Sequence, residues 1–138
     1  MITKTELDFL VAKYETKEFI TSDPIQFIHR GGSKQDIEIL GFISALFAFG
    51  SRKVFIKKLH TLFDSMQTSP SDFVLNGDFE LLNDFDYRFA KSNDVKKVFM
   101  VLRKLYQSSK GLEELFEYGY NLDLTIKSSL LTVTDYFY

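Results

Sequence analysis

The hydrophobic pattern of this chain is organised around residues 33–66, which read SKQDIEILGFISALFAFGSRKVFIKKLHTLFDSM. In the first part of that segment, apolar residues fall on every face of a helix, which predicts a helix over about 34–49 that is buried on all sides. Ser33 is a good N-cap residue, and Asp36 stands where it can complete a capping box. Gly50 is the expected terminator. We therefore expect a buried central helix between these limits.

The second part of the segment predicts an amphipathic helix that begins near Ser51. Its core side is expected to carry Phe55, Leu59, Leu62, Phe63 and Met66. Four small residues of the preceding helix fall on roughly one stripe, where a neighbouring helix could approach closely: Gly41, Ser44, Ala45 and Ala48. The central helix and its successor should therefore lie against each other.

Helical patterns also occur on both sides of this segment. Thr3 and Glu6 form a capping box ahead of a first helix. The pair Asp23-Pro24 opens a short helix, since Asp is a good N-cap and Pro suits the first helical position. Asn93 is the predicted N-cap of the clearest amphipathic helix, and a last helix begins near Leu122.

All of these patterns are helical, and no strand alternation of useful length appears in the sequence. The chain thus predicts an all-α fold, a compact bundle of about seven or eight helices around the central one. Its 138 residues are most simply one domain, residues 1–138. Hydrophobic residues make up 45% of the chain and include fifteen Phe and seven Tyr, which indicates a globular protein with an aromatic core.

Charge and cysteine content narrow the classes of partner and compartment. The net charge of -2 excludes a global basic field, so a polyanion would have to bind at a local patch. The absence of Cys excludes disulfides and thiolate metal sites. Glu6 and Asp8 stand where a signal peptide needs an apolar core, and the run Ile39–Gly50 is too short for a bilayer. We expect a cytoplasmic protein without membrane contact.

Residues with catalytic or metal-binding potential are sparse. His29 and His60 are far apart in sequence, and neither has a second ligand at metal-site spacing. Asp36 and Glu38 are two positions apart, so they point to different sides of one helix and form no acid–base pair. A partly buried Glu38 is an alternative catalytic group, although structural pairs perturb carboxylates as well. We expect no metal, no cofactor and, at this length, no enzymatic activity.

One local feature favours a ligand. Arg52 and Lys53 occupy the first turn of the helix that follows Ser51, and Lys57 and Lys58 come one turn later. The positive end of a helix dipole repels cations by about 0.3–1 kcal/mol each. An anion bound there would make the arrangement favourable, because free N–H groups and cations would converge on it. A nucleic-acid phosphate is the natural candidate, and a solvated basic face is the alternative.

The pair His29-Arg30 could add a second cationic point near the start of the central helix. The alternative is a helix C-terminus stabilised by basic residues, which needs no ligand. Both residues are therefore secondary candidates for a phosphate contact.

Several segments together resemble an uncharacterised bacterial family known as a domain of unknown function. They are YETKEFITSDPIQFIHR, DIEILGFISALFAFGSRKVFIKKLHTLFDSM, YRF and KGLEELF, and the block GFISALFAFGSRK is the most specific. The resemblance covers nearly the whole chain. Full-length members look longer, and their C-terminal half is similar to the helix-hairpin-helix DNA glycosylases, which remove damaged bases and cleave at abasic sites. The resemblance implies an all-helical fold, and it implies that this chain corresponds to the N-terminal half of the full-length family members.

The resemblance implies glycosylase-like ancestry without transferring an active site. In that superfamily the hairpin that grips DNA and the catalytic Asp lie downstream of the segments matched here. The superfamily often has a Gln at the turn after its buried helix, where it wedges into duplex DNA. The position that matches here is Gly50, which weakens the case for base flipping.

Two functions follow as expectations. The first is a weak DNA-binding module of glycosylase-like ancestry that acts through the basic helix start. The alternative is a structural or protein-interaction domain without a nucleic-acid or small-molecule ligand. We also expect an exposed apolar surface along the last helix, at Leu130, Val133, Tyr136 and Phe137, which predicts a homo-oligomer, most simply a homodimer.

Overall fold

The computed structural model describes residues 2–108 and 111–138, and Lys110, which opens the KGLEELF segment, lies outside the described residues. The described part contains eight α-helices: α1 (Lys4–Tyr14), α2 (Lys17–Ser22), α3 (Lys34–Leu46), α4 (Arg52–Ser65), α5 (Pro70–Asn76), α6 (Ser92–Ser108), α7 (Leu112–Asp123) and α8 (Ile126–Phe137). Two 3-10 helices accompany them, Pro24–Arg30 before α3 and Phe79–Leu82 before α6. The predicted all-α fold is confirmed.

The central helix α3 begins as predicted but ends early. The Asp36 N–H donates to Ser33 Oγ at 3.1 Å, and the Ser33 N–H donates to the Asp36 carboxylate at 2.8 Å. The predicted capping box is therefore present. The α-helix ends at Leu46, before the predicted end, and the ring of the next residue, Phe47, packs against Phe85 with the ring centroids 5.2 Å apart.

The core lies where α3, α4, α5 and α6 meet. All five core residues predicted on α4 are buried. The largest fully buried side chains include Phe27, Ile39, Ile43, Leu59, Phe73, Phe99 and Leu102. Burial of each such side chain contributes about 1.5–3 kcal/mol of transfer free energy, so together these side chains hold the bundle together.

One face of α3 is open, so the prediction that this helix is buried on all sides is wrong. Ile37 is 38% exposed, and Leu46, Ala45 and Ala48 are exposed as well. The neighbouring elements pack against the other faces, and α3 makes its main contacts with the 3-10 helix Pro24–Arg30 and with α5. The apolar composition of the helix does not distinguish these two sides.

The 3-10 helix Pro24–Arg30 packs beside the small-residue stripe of α3. A Cβ added at Gly41 would lie 3.4 Å from Ile28 Cγ2, so the Ile28 side chain reaches van der Waals distance of α3 at this glycine. The predicted close approach is thus made only in part: the 3-10 helix contacts the stripe at Gly41, whereas Ala45 and Ala48 remain exposed.

Helix α1 is formed but lies outside the packed bundle. Its predicted capping box is present, with the Thr3 N–H donating to Glu6 Oε2 at 2.7 Å. No residue of α1 is buried. The capping box therefore defines the start of this helix, and packing against its own chain adds little to its stability.

The predicted last helix begins at Ile126, later than the expected start near Leu122, because α7 extends to Asp123 and the chain turns at Leu124. This residue adopts a left-handed conformation with φ +61°, and the Thr125 side chain caps the start of α8. The two helices pack as a hairpin that is tightest at Gly119, where a Cβ would lie 2.7 Å from Ser129 Cα. Gly119 is thus needed for the close crossing.

The exposed surface predicted for the last helix is present only in part. Leu130 is 54% exposed, and Tyr136 is exposed too. Val133, however, is buried at 7% exposure, and Phe137 is half-buried with its ring centroid 4.8 Å from that of Phe42. The predicted exposure of Val133 is wrong, because this face of α8 packs onto α7 and towards α3.

The predicted N-cap of the longest helix is also wrong. Helix α6 begins at Ser92, so Asn93 lies in its first turn. The backbone N–H of Lys91 donates to the Asp94 carboxylate at 3.1 Å. The acidic residue Asp94 in the first turn thus accepts a hydrogen bond at the helix start and complements the positive end of the helix dipole.

Candidate nucleic-acid interface

The start of α4 has the features that make a helix N-terminus attractive to anions. Ser51 has the extended conformation of an N-cap residue, but its side chain makes no capping hydrogen bond. The first turn carries Arg52 and Lys53 and contains no acidic residue. The free N–H groups and the positive end of the helix dipole therefore remain available for a negatively charged group.

Arg52 is partly engaged by its own chain. Its guanidinium lies 3.6 Å from an Asp23 carboxylate oxygen and 5.9 Å from the centre of the Phe19 ring. More than half of the side chain is exposed. An exposed ion pair of this length contributes little stability, so Arg52 can turn towards a stronger anion.

Two of the four predicted lysine and arginine candidates are free to bind. Lys53 and Lys57 lie one turn apart on the exposed face of α4. Within residues 2–108 and 111–138, neither amine has a carboxylate within 4.0 Å. These two cations are therefore the best placed of the predicted set for a phosphate contact.

Lys58 differs from Lys53 and Lys57 because its charge lies near the Asp86 carboxylate. The Lys91 amine donates to the Asp86 carboxylate at 2.9 Å, and the Ser92 N–H donates to it at 3.1 Å. Together with the nearby charge of Lys58, these hydrogen bonds hold the pKa of Asp86 below its usual value. Lys58 is half-buried and is thus less available to a ligand than Lys53.

A further cation, Arg88, lies against the turn that precedes α4. A Cβ at Gly50 would lie 2.6 Å from Arg88 Nε, so the guanidinium occupies the space beside that glycine. Arg88 stands at the tip of a tight turn, where Tyr87 and Ala90 exchange two backbone hydrogen bonds of 2.9 Å. The Tyr87 hydroxyl donates a hydrogen bond of 2.5 Å to the Phe49 carbonyl, which connects this turn to the end of the segment before α4.

Phe89 adds an exposed aromatic ring at the same tip. It is 78% exposed, and its ring is stacked on that of Phe49 with centroids 4.9 Å apart and planes at 10°. An aromatic face beside cations is typical of surfaces on which nucleic-acid bases stack. We call the surface formed by Ser51, Arg52, Lys53, Lys57, Lys58, Arg88 and Phe89 the basic surface.

Sequence reasoning missed Arg88 and Phe89. The turn that holds them contains no Gly, Asn or Asp at its centre, so it lacks the usual hairpin signal. Arg88 instead adopts φ +54°, which is uncommon for a residue with a side chain. The one available indication was the YRF segment of the family resemblance.

The secondary candidates do not join the basic surface. Arg30 lies 2.8 Å from His60 Nδ1 and 3.6 Å from an Asp64 carboxylate oxygen, and it covers the Phe27 ring at 5.0 Å. Asp64 and Arg52 are twelve residues apart on one helix, a separation of about 18 Å. His29 is exposed and precedes Arg30 at this distant end.

Asp36 has a structural role at the start of α3. Its carboxylate accepts hydrogen bonds from the Ser33 N–H and from the Ser71 N–H, each at 2.8 Å. Burial favours a higher pKa for this carboxyl group, but the hydrogen bonds from Ser71 and Ser33 together outweigh it and hold the pKa below its usual value. Asp36 therefore joins α3 to the start of α5 as an ionised group.

Glu38 also has a structural role, and it reaches the other side of the helix as predicted. Its Oε2 accepts from the Tyr106 hydroxyl at 2.8 Å and from the Leu112 N–H at 3.1 Å. Burial and this bond to the Glu38 carboxylate both raise the pKa of Tyr106 well above its usual value. The group joins α3, α6 and the start of α7.

Residues 2–108 and 111–138 contain no group of three or more His, Cys, Asp or Glu side chains placed to hold a metal ion. Among the helices described, none is both long enough and apolar enough to cross a membrane.

Comparison with known proteins gives one informative result. Residues 23–138 match the model of a family described as "Protein of unknown function (DUF2400)". The match includes α3, α4 and the 87–90 turn, and it excludes α1. Comparisons with curated proteins and with solved structures found no match. Because the family model matches well over half of its length, the chain belongs to the DUF2400 family of proteins of unknown function.

Proposed function

We propose that this protein binds DNA through the basic surface, as a weak, non-catalytic module of glycosylase-like ancestry. The observation that carries the proposal is the cluster of Arg52, Lys53 and Arg88 around the uncapped, acid-free first turn of α4. Without an anion, each cation near that end of the dipole costs about 0.3–1 kcal/mol. A bound phosphate removes this cost and accepts hydrogen bonds from the free N–H groups.

Lys53, Lys57 and Phe89 favour a nucleic acid over a single free phosphate. The two lysines extend the positive charge along α4 by about 6 Å, close to the spacing of successive phosphates. Phe89 offers a hydrophobic face for a base at the edge of that charge. A free phosphate ion would use neither feature.

The test is the salt dependence of binding to a fluorescent duplex DNA, measured by anisotropy. The double variant Arg52→Glu, Lys53→Glu should lose most of the affinity, and the slope of log K against log salt should fall by about two units. The matched control is Lys97→Glu, Lys104→Glu, which makes the same change in net charge at exposed positions of α6. Equal binding by the two double variants, or no binding by the wild type at low salt, would reject the proposal.

A second function, a protein-interaction module without a nucleic-acid ligand, is favoured by α8. Leu130, Leu131 and Tyr136 are exposed on this helix, and such adjoining apolar groups are commonly covered by another chain. Replacement of Leu130 and Leu131 by Lys should then dissociate an oligomer of the wild-type chain, as measured by sedimentation. A wild-type chain that sediments as a monomer at tens of micromolar would count against this function.

A further inference from the structure

The open face of α3 forms the floor of a furrow on the surface of the bundle. Ala45 lies in the middle of the floor and lines cavities on both sides of it. The cavity on one side has a volume of about 210 Å³ and is walled by Ile25 and Ile28. The cavity on the other side has a volume of about 840 Å³ and is walled by Leu112 and Phe116. Both walls are apolar, so water is a poor occupant.

Ser44 is an independent sign that the furrow lacks an occupant. Its side chain is only 5% exposed and lines the smaller cavity. In the described part of the chain its Oγ has no hydrogen-bond partner. A buried hydroxyl without a partner is costly, and most such groups are satisfied in native structures. A polar group brought in by another segment would remove that cost.

Helix α1 is the element that lacks a place to pack. Its apolar face carries Leu7, Leu10, Val11 and Tyr14, and all four are exposed. An isolated helix of 11 residues is only marginally stable in water, even with a good cap. Contacts from outside its own bundle are therefore needed to keep it helical.

The dimensions and charges of α1 fit the furrow. A helix of 11 residues is about 16 Å long, and the part of α3 from Ile37 to Leu46 that forms the furrow floor is about 14 Å long. The small residues of the floor allow another helix to approach closely. Glu38 and Glu117 stand at the Ile37 end of the furrow, where Lys13 in the last turn of α1 would be favourable.

We propose that α1 of one chain lies in the α3 furrow of a second copy, and that the two copies exchange their first helices reciprocally. The second copy is favoured over the chain's own α1 by the way α1 joins α2. Tyr14 packs edge-on against Phe19, with centroids 5.3 Å apart, and Thr16 caps α2 through the Phe19 N–H at 3.2 Å. In this arrangement no residue of α1 is buried and none lines either cavity of its own furrow, so its apolar face is available to a partner.

Two single substitutions test the two halves of this contact separately. Leu7→Glu places a charge on the apolar face of α1, and Ala45→Glu places one on the furrow floor. Both positions are exposed in the single chain, so folding should be unaffected. Sedimentation velocity of the full chain should show a dimer for the wild type. Each variant should dissociate about tenfold or more readily, because the new carboxylate would be buried in an apolar contact.

Leu81→Glu is the matched control, because it makes the same kind of change at an exposed leucine that belongs neither to α1 nor to the lining of the furrow. This variant should remain a dimer. Mixing the Leu7→Glu and Ala45→Glu chains should restore part of the association, since an intact α1 then meets one intact furrow. A monomeric wild type would overturn the proposal, and so would a dimer that resists both variants or variants that do not complement each other.

Discussion

Gly50 determines both the turn into α4 and the position of the Arg88 side chain. Its φ of +82° is readily adopted by glycine alone, and its missing side chain leaves room for the Arg88 guanidinium. The absence of a side chain at this position thus lets a cation lie beside the start of α4.

Replacement of Gly50 by Gln should weaken both folding and DNA binding. The positive φ makes the variant about 1 kcal/mol less stable in urea unfolding, and the new Cβ displaces Arg88. The control is Gly31→Gln, because Gly31 has a similar φ of +81° and nothing within 4 Å of a Cβ. It should lose similar stability and keep its DNA affinity. Equal affinities for the two variants would show that Arg88 is not used.

Asp36 should make the stability of the protein depend on acidic pH. Its pKa is lowered in the folded state, so its contribution is complete above the unfolded pKa of about 4 and is lost as pH falls through the lower folded pKa. Asp36→Asn should cost about 2 kcal/mol at pH 7, because the ionised carboxylate and its hydrogen bonds are lost. Urea unfolding between pH 7 and pH 3 should also show a shallower decline for the variant. A parallel decline would contradict this role.

At the scale of elements, periodicity predicted the helices and their buried rows but not all of their ends. The buried residues of α4 and α6 could be predicted from the sequence spacing alone, since apolar residues recur every three or four positions along both helices. The exact position of the break between α7 and α8 could not be predicted, because a leucine with positive φ, here Leu124, carries no sequence signal. The 87–90 turn was missed for the same reason, and with it two residues of the basic surface.

Phe89 should contribute to DNA affinity without contributing to folding. One base stacked on an aromatic ring is worth about 1–3 kcal/mol, so Phe89→Ala should weaken binding about fivefold or more. Its stability should change little because the ring is mostly in solvent. Phe9→Ala is the matched control, since Phe9 is an exposed phenylalanine on α1. Anisotropy titrations in which both variants bind like the wild type would exclude a stacking role.

At the scale of the whole molecule, the limits of the family match agree with the packing. The match begins at residue 23, and the buried residues begin at Phe27. The sequence could not predict that α1 stands apart, because its apolar spacing is the same whether the face meets the core or a partner. The open side of α3 was missed for the same reason: apolar residues on every face do not identify the molecule that covers them.

The bundle should therefore unfold as a unit that does not include α1. Val11→Pro breaks α1 at an exposed position, and far-UV circular dichroism should lose up to the 11 residues of this helix. At a concentration low enough for single chains, the free energy of unfolding should stay within about 0.5 kcal/mol of the wild type, because α1 buries nothing there. Phe99→Ala, in the fully buried core, should instead cost about 3–5 kcal/mol. If the proline variant loses as much stability as the core variant, α1 must pack on its own chain. Exchange of α1 between copies requires that this helix be dispensable for the stability of the single chain and necessary for the dimer. The unfolding of Val11→Pro tests the first condition, and the sedimentation of Leu7→Glu and Ala45→Glu tests the second.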